Sequence, residues 1–501
     1  MGQLMMNYLT NNKFETIEID KEIGMNIEKT EELNIDLYKF EESFPNKALL
    51  QGEGVLTKGQ MRYFNPRSEY ILDRYQDLEG WYRRRLEAGV MSHFLKVVGD
   101  PDVEATVRDL AGREFTGINL STVDYMGLSN HPKLKQAAIE TLTNKRLHSI
   151  NTGPLLGNSP ESGALQKEIA QHLGHEYSIL FPTGWAASFS GVAGVARKDD
   201  IVLVDEYAHQ SLKQGAYASC DNVVKFKHLS NMEVRSKLEA IRSDNPTQGV
   251  LVVTEGLYSM DGDAPDIKEL LDICKKHNAA LLVDICHDLG CTGKDGKGTL
   301  GDQGVLGDPD LIVVGAFSKT LSTNGGYLTT SNLGVVFSTC SFAGPYTYST
   351  SLSPTQIAIA REGLKLVASK EGEERRAKLM SNINVARQRA KMHNIDVYGT
   401  PSPIVSLHVG SENIARLACA KAFRMGVVTT ILEYPVVARG KARFRMSMSP
   451  EHEHETLIKA VDIIAESIVW AKEYHATLGD SQMETCDSHK KEELTSIIGQ
   501  Q

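Results

Sequence analysis

Cysteine is scarce: seven residues among 501, an odd number, scattered, with no Cys-x-x-Cys pair. That excludes a disulfide scaffold and paired-thiolate zinc spacing, and predicts reduced thiols in a cytoplasmic protein. Uninterrupted apolar runs of about 18 residues are missing, so no transmembrane helix is expected. The opening MGQLMMNYLTNNKFETIEID lacks the basic-then-apolar order of a signal peptide. Met6 stands where a myristoylation pattern needs Ser or Thr. Positive charge is in deficit, with 54 Lys plus Arg against 64 Asp plus Glu and a formal charge of −10. Such a chain has no global pull toward nucleic acid or an anionic membrane. A nucleotide loop is not expected either, since GCTGKDGKG at 290–298 departs from GxxxxGK[ST]. His452 and His454 in EHEHE stand two apart, off a shared helix face, so no metal site is expected there. No internal repeat is visible.

What remains is ordinary globular composition, 41% apolar and 24% charged, in chain enough for two or three domains. The first stretch, to about residue 60, is acidic and poor in periodic apolar positions, and reads as a loosely ordered extension. From Arg67 to Val97 apolar and aromatic residues return every three or four positions, which predicts helix. Beyond about residue 164 short β-branched runs (SILF, IVLVD, NVVKF, GVLVVTE, AALLVD, DLIVVGAF) alternate with helix-length amphipathic segments. This rhythm predicts βαβ units and a mostly parallel sheet covered on both faces, an α/β fold. Near residue 371 a charged helix leads into short strands and a final helix, a smaller α+β domain. The expected organisation is an extension over 1–95, a large domain over 96–370, a small domain over 371–478 and a polar tail over 479–501.

Three features carry chemistry. Lys319 follows the run LIVVGAFS and precedes TLSTNGGY, just past a central strand. Desolvation there disfavours its charge and favours a nucleophilic amine. Asp284 closes the buried run AALLVD, with His287 three residues on, and a buried carboxylate needs a partner. A lysine for a Schiff base and an acid to hold a pyridinium are what pyridoxal phosphate requires. The segment FPTGWAAS leaves a strand and opens a helix, so backbone N–H groups around Thr183, Gly184 and Trp185 would face a phosphate.

From roughly Asp124 to His452 the chain resembles the α-oxoamine synthases, a branch of the fold-type-I pyridoxal-phosphate enzymes. The motifs that carry the resemblance are DYMGLSNHP, PTGWAAS, VDEYAHQSL, TEGLYSMDGDAPD, VDICHDLGCTG, AFSKTLSTNGGY, YSTSLSP and KARFRMSMSPEH, in the family's order. The resemblance implies a seven-stranded, mostly parallel sheet with a smaller C-terminal domain, and a decarboxylative Claisen-type condensation of an amino acid with an acyl thioester. Lys319 would form the Schiff base and, after substrate exchange, take the α-proton. Asp284 would pair with the pyridine nitrogen, His209 would stack on the ring, and His287 would contact the ring hydroxyl or the acyl carbonyl. Ser259 would lie beside the cofactor hydroxyl. Thr350, or Ser349, would reach the phosphate of the neighbouring subunit, which makes a homodimer with shared sites the expected assembly. Arg445 would grip the amino-acid carboxylate. Because Arg443 and Arg445 alternate with apolar residues, one is expected to face inward and the other to solvate an edge.

The chain departs from the family's pattern near substrate. Ala316 replaces a Thr that bonds the phosphate, leaving Ser318 or Thr320 for that task; Cys286 replaces a small residue behind the ring. Val123 replaces an Asn near the carboxylate. Gly153 and Ser162 replace an Arg and a His common in coenzyme A users, which points to an acyl carrier protein or an unusual acyl group. Arg83, Arg84 and Arg85 form a candidate docking patch for such an acidic carrier. Two other readings are a transaminase or lyase of the same fold and a non-catalytic partner subunit, though partners of that kind lack the lysine.

Overall fold

The computed structural model describes residues 47–478, apart from 53 and 65–67. Of the loose extension expected to about residue 60, the part up to residue 46 lies outside the described residues, as does the tail from 479. Leu50, Val55 and Leu56, by contrast, are buried in the core and correct the expectation of a loose chain there. The strands are β1 (Lys96–Val98), β2 (Glu104–Arg108), β3 (Glu114–Asn119), β4 (Tyr177–Phe181), β5 (Ile201–Asp205), β6 (Asn222–Phe226), β7 (Val250–Glu255), β8 (Ala280–Asp284), β9 (Leu311–Ala316), β10 (Gly326–Thr330), β11 (Ile404–Gly410), β12 (Val427–Val428), β13 (Thr430–Leu432) and β14 (Ala442–Ser447). Seven of them form the main sheet in the order β4–β10–β9–β8–β7–β5–β6. Strand β10 runs antiparallel to both neighbours, and the other adjacent pairs are parallel. The fold is the expected α/β class. Strands β7 and β9 are buried at every position, as central strands covered on both faces must be.

The six β-branched runs of the sequence are the parallel members, β4 through β9. β10, with the sequence GYLTT, fills the seventh place. Gly315 on β9 has room only for hydrogen, because a Cβ there would come 2.2 Å from the hydroxyl of Tyr327 on β10.

Two smaller sheets complete the fold. β11, β14 and β13 pair antiparallel, with the helices Lys370–Met392 and His454–Ala476 following the expected positions. β1–β2–β3 form an antiparallel meander whose last strand pairs in parallel with β12, Ile118 opposite Val427. Residues 96–119 therefore hydrogen-bond to the C-terminal part rather than to the main sheet. The helix predicted toward Val97 is confined to the turns Ile71–Tyr75 and Gln76–Glu87. Gly89, at φ 71°, ends it in the left-handed conformation that glycine adopts without penalty.

On the helix Gln76–Glu87 the three arginines do not make one patch. Arg85 turns inward, 1% exposed, over the Trp81 ring and toward Glu433, which also binds Arg416 at 2.7 Å. Arg84 is exposed, and Arg83 is held by Glu79 one turn earlier. A 100° step per residue cannot keep three consecutive side chains on one helix face.

Candidate active site

The site lies at the carboxyl ends of the parallel strands. β5, β7 and β8 each end in a buried acid: Asp205, 0% exposed, and Glu255 and Asp284, both 4% exposed. Glu255 and Asp284 are register partners. Asp284 accepts hydrogen bonds from Ser188 Oγ at 2.6 Å and from the Cys286 N–H at 2.8 Å, which fix its carboxylate. Asp205 is matched by His228, whose Nδ1 lies 3.0 Å away while Nε2 reaches Asp263 at 3.2 Å. Although burial opposes its charge, the hydrogen bonds it donates to Asp205 and Asp263 raise His228 to about 9.

Lys319 sits three residues past the end of β9, at the floor of a cavity of about 460 Å³ that Ser318, Asp124 and Ser449 also line. Its environment corrects the expectation of a depressed amine. Burial does push it down, but Cys286 and then Asp284 oppose that, and its affinity for the proton ends above the ordinary lysine value. Cys286 itself stays a thiol, since burial first and Asp284 second raise it well above the usual range. The acid meant to hold a pyridinium is the reason: with Asp284 close by, Lys319 carries the proton.

The turn after β4 opens directly into a helix, the arrangement the sequence predicts for FPTGWAAS. Thr183 caps the helix Gly184–Ala193, its Oγ1 accepting the Ala186 N–H at 3.1 Å. The N–H groups of Gly184 and Trp185 at the first turn have no partner within the helix. Gly184 packs against β9 so closely that a Cβ would fall 2.5 Å from the Ala316 Cβ. The small side chain of Ala316 and the missing one of Gly184 thus belong together. Thr320 turns away from this cradle toward Gly290, where a Cβ would meet its Cγ2 at 2.3 Å. Ser318 is exposed at the cavity.

His209 caps the next helix, Gln210–Ser219; its Nδ1 contacts Ser211 Oγ at 2.6 Å and its ring meets the edge of Trp185 with centroids 5.6 Å apart. Burial, the largest influence, holds it below the ordinary imidazole value although Asp284 raises it. His287 lies well below that value because of burial, with Lys319 and Arg445 adding to it, so it is neutral at pH 7.

Tyr125, to which the sequence alone assigned no role, joins two expected site residues. Arg445 donates from Nη2 to the Tyr125 hydroxyl at 3.2 Å, and that hydroxyl stands 2.9 Å from His287 Nδ1. A hydroxyl whose oxygen accepts from arginine still has its own proton to give to Nδ1, an arrangement that goes with the imidazole tautomer protonated on Nε2. Arg445 is anchored by Nε to the carbonyl of Ser259 at 2.7 Å, so Ser259 enters the site through its backbone. Arg443 is buried as well, over the Tyr398 ring at 3.9 Å and paired with Asp261. Residues two apart on a strand share a face, which overturns the expected split between an inward and an edge arginine. Thr350 is set apart: it is exposed and bridges to Thr152, and no hydrogen bond among the described residues ties it to Lys319.

A lysine, a fixed carboxylate on the adjacent strand end, a helix N-terminus whose first-turn N–H groups have no partner within the helix and a glycine at the turn fit pyridoxal phosphate by donor chemistry and by space.

The aminotransferase class I and II family model matches residues 116–464. 8-Amino-7-oxononanoate synthase of Salmonella dublin is 33% identical over 355 residues, 70% of this chain and 89% of that protein. A high-resolution structure of SPT with pyridoxal phosphate as internal aldimine superimposes with TM-score 0.74 at 25% identity, covering 81% of this chain and all of the other. Serine palmitoyltransferase of Sphingomonas wittichii gives the same score and identity over 81% of this chain and 99% of its own. The chain belongs to the aminotransferase class I and II family, in its pyridoxal-phosphate-dependent α-oxoamine synthase branch.

Proposed function

We propose that this synthase condenses an amino acid with an acyl thioester, releasing carbon dioxide and a thiol and yielding an α-amino ketone, as a cytoplasmic homodimer. The carrying observation is the Arg445–Tyr125–His287 chain beside Lys319, which pairs a carboxylate clamp with a neutral N–H donor. Pyridoxal phosphate, when bound, supplies the electron sink that makes the α-proton acidic. Asp284, oriented by Ser188 and the Cys286 N–H, would pair with such a cofactor's ring nitrogen. Arg445 binds the substrate carboxylate through the part of its guanidinium not spent on Ser259 and Tyr125. Lys319 Nζ, which carries a proton at rest, would act as the base only in its deprotonated form; in that form it would take the α-proton and later return one to the same carbon. In between, the α-carbon bonds to the acyl carbonyl carbon, the thiolate leaves, and the carboxylate departs as carbon dioxide. His287 Nε2–H donates to the acyl oxygen while charge gathers there.

The shared site is supported by surface apolar residues around the Thr152–Thr350 bridge: Leu155, Leu156, Phe342 and Tyr348 are all well exposed. Apolar side chains concentrated in this way mark a protein contact, and Thr350 stands among them. The cytoplasmic assignment is supported by free cysteines at six described positions. No helix among the described residues is long and apolar enough to cross a membrane.

For the acyl carrier, Gly153 leaves no room for a cation, since a Cβ would meet the Tyr346 ring at 2.8 Å, and Ser162 is spent on a reciprocal cap with Ser159. This supports a carrier-protein thioester over a simple coenzyme A ester. The inward turn of Arg85 leaves Arg84 and the Glu79-bound Arg83 as the basic docking surface on that helix. The test is a mass-spectrometric screen of amino acids against the same acyl groups on coenzyme A and on a carrier protein. An α-amino ketone formed best from the carrier-protein thioester is the expected product. A keto acid formed without thioester would replace this reading with transamination.

A further inference from the structure

Three acids end adjacent strands, and two of them have an evident counter-charge. Asp205 has His228 at 3.0 Å. Asp284 lies close enough to Lys319 to help hold the lysine's proton, and on the reading above it faces the cofactor's ring nitrogen. Glu255, between them on β7, has neither an arginine nor a lysine in contact among the described residues. Its one hydrogen bond is from the backbone N–H of His209, at 2.5 Å to Oε1. It is 4% exposed and directly beside Asp284 in the sheet register. A second ionised carboxylate at that spot would be desolvated, unpaired and next to a like charge, which is the costliest arrangement a carboxyl group can have.

We propose that Glu255 stands in the site as a neutral carboxylic acid, a positioning residue that fixes the turn carrying His209 and leaves Asp284 the single negative charge facing the cofactor.

The groups around it agree. Asp284 and Cys286 approach from the end of β8, Asp205 from β5, Lys319 from the end of β9, Lys213 from the helix Gln210–Ser219, and Tyr258 from the turn after β7. Burial is the largest influence and Asp284 the next; the His209 N–H and Lys319 oppose them without prevailing, so Glu255 lies well above the ordinary carboxyl range. Lys213 lends little, because its own charge is disfavoured by burial and by Lys225. The Tyr258 hydroxyl is 2.9 Å from Thr254 Oγ1 and 3.3 Å from the Glu255 N–H, so it braces the backbone rather than the carboxyl.

Geometry gives the neutral acid its task. Its Oε1 accepts the N–H of the residue that caps Gln210–Ser219, so the imidazole of His209 is placed by a bond to its own main chain. An uncharged carboxyl can do this without drawing the ring nitrogen's positive charge away from Asp284 or stabilising the proton on Lys319 further.

The proposal rests on the pyridoxal-phosphate reading of the site, and its test separates the two. Infrared spectra of the cofactor-loaded full chain at pH 8, wild type minus Glu255→Gln, should show the carbonyl stretch of a protonated carboxylic acid in the wild type alone. At pH 8 Asp288, a further buried acid of this region held at about 6 by burial, is ionised and does not contribute; contributions common to both proteins cancel in the difference. In parallel, the pH titration of the cofactor's visible band should keep its midpoint in Glu255→Gln, since one neutral group replaces another. Absence of the acid band in wild type, which needs no variant, overturns the proposal. So does a midpoint shift of about one unit or more in Glu255→Gln, the mark of a lost charge. Failure of the wild-type chain to develop a visible band with pyridoxal phosphate would instead sink the cofactor reading.

Discussion

On the proposed function Lys319 serves as base and Tyr125 as relay, and each role is open to a single substitution. Lys319→Ala removes the one lysine among the residues that line the cavity beside β9. Turnover and the cofactor's visible band should both vanish, and borohydride trapping with peptide mapping should place the wild-type label on Lys319. Label on another lysine would contradict the assignment. Tyr125→Phe keeps the ring but cuts the bridge from Arg445 to His287, so the imidazole proton is free to move to Nδ1. A loss of about 100-fold in kcat is expected, the lower end of one general acid's contribution. A kcat unchanged within error would show that the hydroxyl only fills space.

Part of this scale was legible beforehand. A lysine or aspartate at the end of a buried run is announced by the run itself. The Tyr125 bridge was not, because its partners lie 162 and 320 residues away and no local pattern spans such distances. Glu255 ends GVLVVTE as plainly as Asp284 ends AALLVD, so that signal was available in the sequence. The upward shift of Lys319 depends on the placement of several groups at once, which residue order does not contain.

At the scale of elements, the strand-to-helix turn at Gly184 and the strand end at Asp205 bear weight. Gly184→Ala would press a methyl against Ala316, forcing the helix Gly184–Ala193 away from β9. Overpacking of this kind costs about 1–3 kcal/mol, and the N–H cradle should lose cofactor affinity along with it. Calorimetric titration with pyridoxal phosphate checks this; wild-type affinity would show that the turn is not the phosphate site. His228 ties β5 to the turn after β7. Its folded-state value of about 9 lies above the ordinary 6.5, so its ion pairs stabilise the fold fully below pH 6.5. That contribution is lost as pH rises through about 9. Urea denaturation across pH 6 to 10 should therefore show a decline in wild type that is absent in His228→Gln. Equal slopes would mean that the histidine is not charged in the fold.

The six β-branched runs announced their strands because buried parallel strands need continuous apolar sequence. β10 escaped because GYLTT mixes a glycine and two threonines in a segment that reads as loop. β12 and β13 escaped because two- and three-residue strands are too short to carry a period.

The whole molecule is held together by contacts that bring distant stretches of chain onto one another. The triad of Arg85, Glu433 and Arg416 joins the helix before the first strand to the turn after β13. Burial, with Arg416 next, pushes Arg85 down to about 9, and Glu433 is the counter-charge that offsets it. Glu433→Gln leaves two buried guanidinium groups facing each other and should cost about 3–5 kcal/mol in denaturant unfolding. A cost below about 1 kcal/mol would show that solvent reaches the triad. None of this was legible in RYQDLEGWYRRRLEAG, where three arginines in a row look alike and the fold alone selects the buried one.

The assembly belongs to the same scale. Chains carrying Lys319→Ala, mixed with chains disabled at Ser349 and Thr350, should regain part of the activity if each site draws on two subunits. A fully active monomer in sedimentation would contradict this.

The central claim is decarboxylative condensation driven by Lys319, and carbon balance tests it most directly. The measurement is release of labelled carbon dioxide from a carboxyl-labelled amino acid, followed together with free thiol from an acyl thioester. The account predicts equal amounts of the two, none without thioester, and none from Lys319→Ala. Amino-acid consumption that yields a keto acid and leaves the label in place would contradict it.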